Sequence, residues 1–174
     1  MSKRKIIRIN GRGGRCSVSL EENKAIIQSF FEAINKHNLA LLDKLMAPDY
    51  VDHALQLRGL EANKQALTLL YKGFTDWHET IEGMIAEGDK VWVRFKGTGT
   101  HTGEYQEYLL SIGKITLAPT GKKVTMTGVV IYRIVHGKIV EKESGVYDLL
   151  DFLKQLGLIK YTEKAKKHSP KNVK

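Results

Sequence analysis

Gly128-Val129-Val130-Ile131-Tyr132-Arg133-Ile134, followed by His136-Gly137-Lys138-Ile139-Val140-Glu141, is the stretch that decides the fold. Two β-branched and aromatic runs flank a two-residue His-Gly turn, the pattern of an antiparallel hairpin. Beyond it, Tyr147-Asp148-Leu149-Leu150 leads into Phe152-Leu153-Lys154-Gln155-Leu156-Gly157, apolar at helical spacing and stopped by glycine. Asp148 stands where the second strand gives way to that helix. It either caps the helix or is a buried acid facing a cavity.

Working towards the N-terminus, the spacing predicts strands over about 78–87, 89–100, 123–135 and 138–147. Glu87-Gly88-Asp89 is a second tight hairpin signal, and Pro119-Thr120-Gly121-Lys122 fits a longer turn. The segment 101–118 reads as long and irregular, which in a compact domain marks a lid or a site rim. Ahead of the strands come helical signals. Ser19 and Glu22 form a capping box before Ile26, Ile27, Phe30, Phe31 and Ile34. A second helix is expected from Leu39 to Met46, closed by Pro48, then a short strand Asp49–His53 and a third helix from Leu60 to Phe74. Helices first and a meander of strands afterwards predict an α+β domain with helices on one face of a curved sheet.

Composition bounds the function. The 174 residues hold enough apolar content (42%) for one core and carry a formal net charge of +9. Residues 1–15 hold six basic side chains and no acid, and residues 160–174 hold six against Glu163, which leaves a body of about −2. This divides the chain into a basic leader 1–18, a domain 19–159 and a basic tail 160–174. Neither end alternates base with aromatic as single-strand binders do, so nucleic acid is disfavoured. Gly11-Arg12-Gly13-Gly14-Arg15 lacks the spacing and the Lys-Ser/Thr ending of a phosphate loop. A single cysteine, Cys16, permits no intrachain disulfide, and no run has membrane-spanning length, so a cytoplasmic location is expected. His53, His78, His101 and Asp52 show no recognised ligand spacing, and no metal is expected.

Taken together, Tyr50-x-x-His53, Asp76-Trp77-His78, Ala86-Glu87-Gly88-Asp89-Lys90-Val91, Gly99-Thr100-His101-Thr102-Gly103, Ala118-Pro119-Thr120-Gly121-Lys122, Gly137-Lys138-Ile139-Val140-Glu141 and Asp148 ahead of Gln155-Leu156-Gly157 carry a likeness. From Glu21 to Leu158 the chain resembles the SnoaL-like polyketide cyclase (ester cyclase) family, with the cone-shaped α+β fold of nuclear transport factor 2. The resemblance implies a curved sheet around a pocket for a small apolar ligand or substrate, and a homodimer formed through the sheet's outer face. It implies ring closure by intramolecular aldol condensation without metal or organic cofactor. It places the acid/base on Asp148, the family histidine on His53 and a pocket-facing position on Tyr132. Two departures stand out. Glu143 occupies a position usually held by Trp, and one extra residue precedes Asp148, for which Gly145 is the expected bulge.

Aldol ring closure needs a base near a carbon acid and a proton donor for the new alkoxide, and one carboxyl in an apolar pocket can serve as both. Met126, Gly128, Val130 and Tyr132 share one strand face by the two-residue period. Tyr132 or His53 could polarise a carbonyl, and Trp77 and Tyr50 could wall a flat substrate. His101, among small residues at a strand end, is a further substrate-contact candidate. Each has an ordinary alternative: core aromatic for Trp77 and Tyr132, surface histidine for His53, loop histidine for His101. The rival to an enzyme is a non-catalytic ligand-binding module of the same fold.

Overall fold

The computed structural model describes residues 19–109 and 113–160. The leader up to residue 18, the tail beyond residue 160 and residues 110–112 lie outside the described residues. Helix α1 (Leu20–Asn35) begins at the expected capping box, with Glu22 N–H donating to Ser19 Oγ at 3.2 Å and Ser19 N–H donating to Glu22 Oε2 at 2.6 Å. Its apolar stripe buries Ile27, Phe30, Phe31 and Ile34, with Ile26 at the margin.

The expected helix from Leu39 to Met46 does not form as one piece. A 3-10 turn, Leu39–Leu41, passes into a four-residue helix α2 (Leu42–Leu45), and strand β1 (Met46–Asp52) starts at once. Pro48 therefore lies inside a strand. It is tolerated because pairing with the neighbouring strand is broken there: Met46 is opposite Ile139 and the next partner pair is Val51 with Glu141. After a two-residue strand β2 (Leu57–Arg58), helix α3 (Leu60–Gly73) is followed by β3 (His78–Glu87) and β4 (Lys90–Thr100). Then come β5 (Tyr105–Leu109), β6 (Gly113–Leu117), β7 (Lys123–Val135), β8 (Lys138–Tyr147) and α4 (Leu149–Leu156).

Six strands form one sheet in the order β2-β1-β8-β7-β4-β3. All neighbours are antiparallel except β1 and β8, which run parallel and bring residues 51–52 beside residues 141–142. Among its described residues the segment 101–118 is not irregular throughout. Its centre is a separate two-stranded hairpin, β5–β6, paired on itself from Tyr105↔Leu117 to Leu109↔Gly113. The extra residue of β8 is not Gly145 either. Gly145 pairs regularly with Val130, and the register shifts between Ile131↔Ser144 and Tyr132↔Lys142, so Glu143 is the inserted residue. A second shift, between Arg133↔Glu141 and Ile134↔Ile139, leaves Val140 extra.

The concave face of the sheet and α1 enclose one core around Phe30, Phe31, Val93, Phe95, Val130 and Ile134. A second core holds Phe74, Trp77, Tyr105, Val124, Phe152 and Leu156, and Tyr105 anchors the hairpin in it. Trp77 lies flat on β4, where a Cβ on Gly97 would overlap its ring. Gly97→Ala should therefore displace Trp77 and cost roughly 1–3 kcal/mol, the usual toll of overpacking. A urea midpoint equal to wild type would show that the ring yields freely.

Candidate functional site

Glu79 sits two residues before Ile81, and the period of β3 turns both to the concave side. Asn35, at the end of α1, clamps the residue from behind. Its Nδ2 donates to Glu79 O at 2.8 Å, and its Oδ1 accepts from Glu79 N–H at 2.7 Å, so an amide side chain substitutes for a missing neighbour strand. The indole Nε1–H of Trp77 donates to Glu79 Oε1 at 3.0 Å. Burial pushes the Glu79 carboxyl above its ordinary range, against the opposing pull of that indole and of the Lys142 charge.

Across the concavity, the parallel pairing of β1 with β8 sets Asp52 opposite Lys142. Asp52 is wholly buried and Lys142 nearly so, and the ammonium and the carboxylate form a direct ion pair. The second carboxylate oxygen, Oδ1, accepts from Leu55 N–H at 2.9 Å. Burial alone would depress the Lys142 ammonium, but Tyr147, Asp52 and Tyr50 outweigh it and hold its pKa above the ordinary lysine value. Its ion pair with Asp52 helps to keep Lys142 a cation. Lys142 Nζ lies 5.7 Å from the Tyr147 ring centroid and within hydrogen-bonding reach of its phenol oxygen.

Three phenols complete the lining. Burial raises the pKa of Tyr50, Tyr132 and Tyr147, so each stays a proton donor at neutral pH. Tyr50 and Tyr132 belong to the first core and Trp77 to the second, so the polar groups form a seam between two apolar bodies. The seam contains one ion pair, one carboxyl of raised pKa and three neutral O–H donors. Such a set can move a proton at carbon and bind an oxygen that gains charge.

The residues singled out by sequence divide between this seam and other places. Tyr50, Trp77 and Tyr132 are brought to it or to its wall. Met126 is half-buried on β7 and packs against the second core. His101 is wholly buried at the base of the hairpin, its ring stacked 5.1 Å from Phe74 and its Nδ1 3.1 Å from Thr120 Oγ1. Burial lowers its pKa, a backbone hydrogen bond to Gly103 opposing. His53 points away from the interior: its side chain is half exposed and Nε2 meets Glu141 Oε1 at 2.5 Å. Asp148 is exposed and is the N-cap of α4, accepting from Asp151 N–H at 3.2 Å. Of the two readings open for Asp148, the cap is the one observed.

Glu79, Asp52 and Lys142 were the residues missed. The two-residue period running back from Ile81 already placed Glu79 on the inner face. The Asp52–Lys142 pairing had no comparable signal, because it needs a parallel register between strands about ninety residues apart.

Two outcomes follow from the burial of these charges. A carboxyl whose folded pKa is raised penalises folding once it ionises. The penalty is absent below the ordinary carboxylate pKa and grows as pH rises through the raised value. Glu79→Gln should thus raise Tm relative to wild type at pH 7 and lose that advantage near pH 4; an offset equal at both pH values contradicts the burial of the charge. Lys142→Met should cost about 3–5 kcal/mol by leaving Asp52 unpaired, and Asp52→Leu added to it should recover most of the loss in a denaturant titration. Additive losses would mean that the two side chains do not interact.

Known proteins are consistent with this architecture. The family model of the SnoaL-like polyketide cyclase matches residues 25–156. AclR of Streptomyces galilaeus, described as a candidate hydroxylase, is similar at 27% identity and TM-score 0.71, over 87% of this chain and 95% of that one. IdmH of Streptomyces antibioticus, described as a candidate polyketide cyclase, is similar at 28% identity and TM-score 0.64, over 78% and 98%. TsrD of Streptomyces laurentii shares the fold at 22% identity and TM-score 0.69, over 82% and 99%. No curated protein sequence matches the chain. With its family model spanning α1 to α4 and its curved sheet shared with these structures, the chain belongs to the SnoaL-like polyketide cyclase family.

Proposed function

We propose that the protein is a cofactor-independent cyclase or isomerase that removes a proton beside a carbonyl of a small apolar oxo-compound, as in intramolecular aldol ring closure. The observation that carries this reading is Glu79: a carboxyl of raised pKa, held by Asn35 and Trp77, within electrostatic reach of the buried Lys142 and of Tyr132 and Tyr147. A base works best when its pKa approaches the working pH, and burial moves Glu79 in that direction. Glu79 takes the proton from carbon, the resulting carbanion attacks the second carbonyl, and the same carboxyl returns the proton to the new alkoxide. Trp77, Tyr132 and Phe95 supply the apolar walls that a flat oxo-compound needs.

This reading moves the acid/base from Asp148 to Glu79, because an exposed helix cap is fully solvated. It also includes a homodimer formed through the convex face of the sheet. Ile85, Val129 and Val146 are exposed there at 69%, 44% and 70%. A shallow depression of about 490 Å³ lined by Gly83, Met84, Ile85, Trp92 and Val129 lies on the same face.

The test is a screen of β-dicarbonyl and aromatic polyketide-like compounds by thermal shift and by turnover, on wild type, Glu79→Gln and Asp148→Asn. Consumption by wild type and by Asp148→Asn, with binding but no consumption by Glu79→Gln, is expected. The reverse pattern returns the acid/base to Asp148, and stabilisation without turnover by any of the three favours a binding module. For the dimer, sedimentation of wild type should give twice the chain mass and Val129→Lys should give the monomer. A wild-type monomer at micromolar concentration would remove the interface.

A further inference from the structure

Lys142 is the one cation whose side chain lies in the described interior, and two features aim it at a ligand oxygen. Asp52 holds the ammonium from the β1 side, through an ion pair with no solvent on the carboxylate. Tyr147 approaches from the other side by folding back over Gly145: a Cβ on Gly145 would stand 2.6 Å from the Tyr147 hydroxyl. The inserted residue Glu143 makes this possible. It turns out to the convex face, where Lys90 Nζ reaches its Oε2 at 2.7 Å, and so Lys142, Gly145 and Tyr147 all face inward. Glu79 lies within electrostatic reach of both Lys142 and Tyr147. A carboxyl, a cation and a phenol are thus electrostatically coupled within the interior.

We propose that Lys142 and Tyr147 together bind the oxygen that becomes negative when a carbonyl compound is deprotonated by Glu79. The inference rests on the reading of the interior as the reaction site and adds two catalytic residues to it. In the step, the C–H bond beside the carbonyl breaks and its proton goes to the Glu79 carboxylate. The electron pair moves onto a carbonyl oxygen, which accepts hydrogen bonds from the Lys142 ammonium and the Tyr147 hydroxyl. The carbanion then attacks another carbonyl of the same substrate: the pair forms the new C–C bond, the π bond of that carbonyl breaks onto its oxygen, and the alkoxide so formed takes the proton from Glu79. Asp52 and Gly145 are positioning residues, one keeping Lys142 charged and the other leaving room for the phenol. Because its partner is a buried carboxylate, Lys142 acts as an ammonium and not as an amine that condenses with the carbonyl.

The test reads the bound ligand's own ionisation, using an aromatic 1,3-diketone whose enolate absorbs at longer wavelength than its enol. Wild type should lower the apparent pKa of the bound diketone by about one unit or more, a tenfold gain in enolate at fixed pH. Glu79→Gln should keep this shift while losing turnover. Tyr147→Phe and Gly145→Ala should lessen it. The double variant Asp52→Leu/Lys142→Met, a neutral pair chosen to preserve the fold, should abolish it. No shift in wild type at millimolar diketone, or a shift unchanged in the double variant, overturns the oxyanion pair. Borohydride treatment that fixes the diketone covalently to Lys142 also overturns it, in favour of an imine. A shift without turnover in wild type would keep the oxyanion pair and remove the cyclase. Turnover without a shift would do the opposite.

Discussion

The ion pair between Asp52 and Lys142 is the constraint around which the rest of the molecule is arranged. Two charges taken out of water cost several kcal/mol each unless they meet closely and their remaining hydrogen-bonding capacity is used. Here Leu55 N–H takes the free carboxylate oxygen, and Tyr147 stands beside the ammonium. The parallel β1–β8 seam, the inserted Glu143 and the empty side of Gly145 all serve to bring these groups together. An apolar pair of similar volume would fill the same space at less desolvation cost.

The opposite wall is positioned by neutral groups. Asn35 binds both the N–H and the C=O of Glu79, which fixes the backbone to α1, and the Trp77 indole fixes the carboxyl. Trp77 in turn needs the bare backbone of β4 at Gly97. A chain of close contacts therefore runs from a glycine with no chemistry of its own to the one carboxyl of raised pKa in the seam. The two walls differ in kind: one concentrates charge and the other excludes water from a single acid. In the proposed reaction that asymmetry would let a proton leave carbon on one side while negative charge gathers on the other.

Most of the fold was legible in the sequence because alternating and helical periods are local properties. The strands around Glu87-Gly88-Asp89 and His136-Gly137 and the capped first helix lie within a residue or two of their expected bounds. The β5–β6 pairing within 101–118 had little local signal, because its Tyr-Gln-Glu-Tyr run is short and does not alternate apolar with polar residues. Facing is where local reading failed. In a strand a one-residue insertion reverses every side chain beyond it, so placing the bulge at Gly145 or at Glu143 decides which residues reach the interior. Tyr50, Trp77 and Tyr132 are buried in the two cores, as large aromatics in a cone-shaped fold are expected to be. Lys142 was missed because its partner is on a strand at the other end of the domain.

That separation shapes how the molecule is made. β1 is complete by residue 52, but the strand that must lie parallel to it begins at Lys138. Contacts so distant in sequence form late, since the loop between them has to be closed before they return any free energy. Until then Asp52 is an ordinary solvated carboxylate and Lys142 an ordinary solvated amine. During synthesis helices α1 to α3 and the β3–β4 hairpin emerge first, and the last strand arrives after its partner β1 has been made. The interior ion pair is thus among the last contacts the chain acquires, and a chain ended before Lys142 leaves Asp52 without that partner.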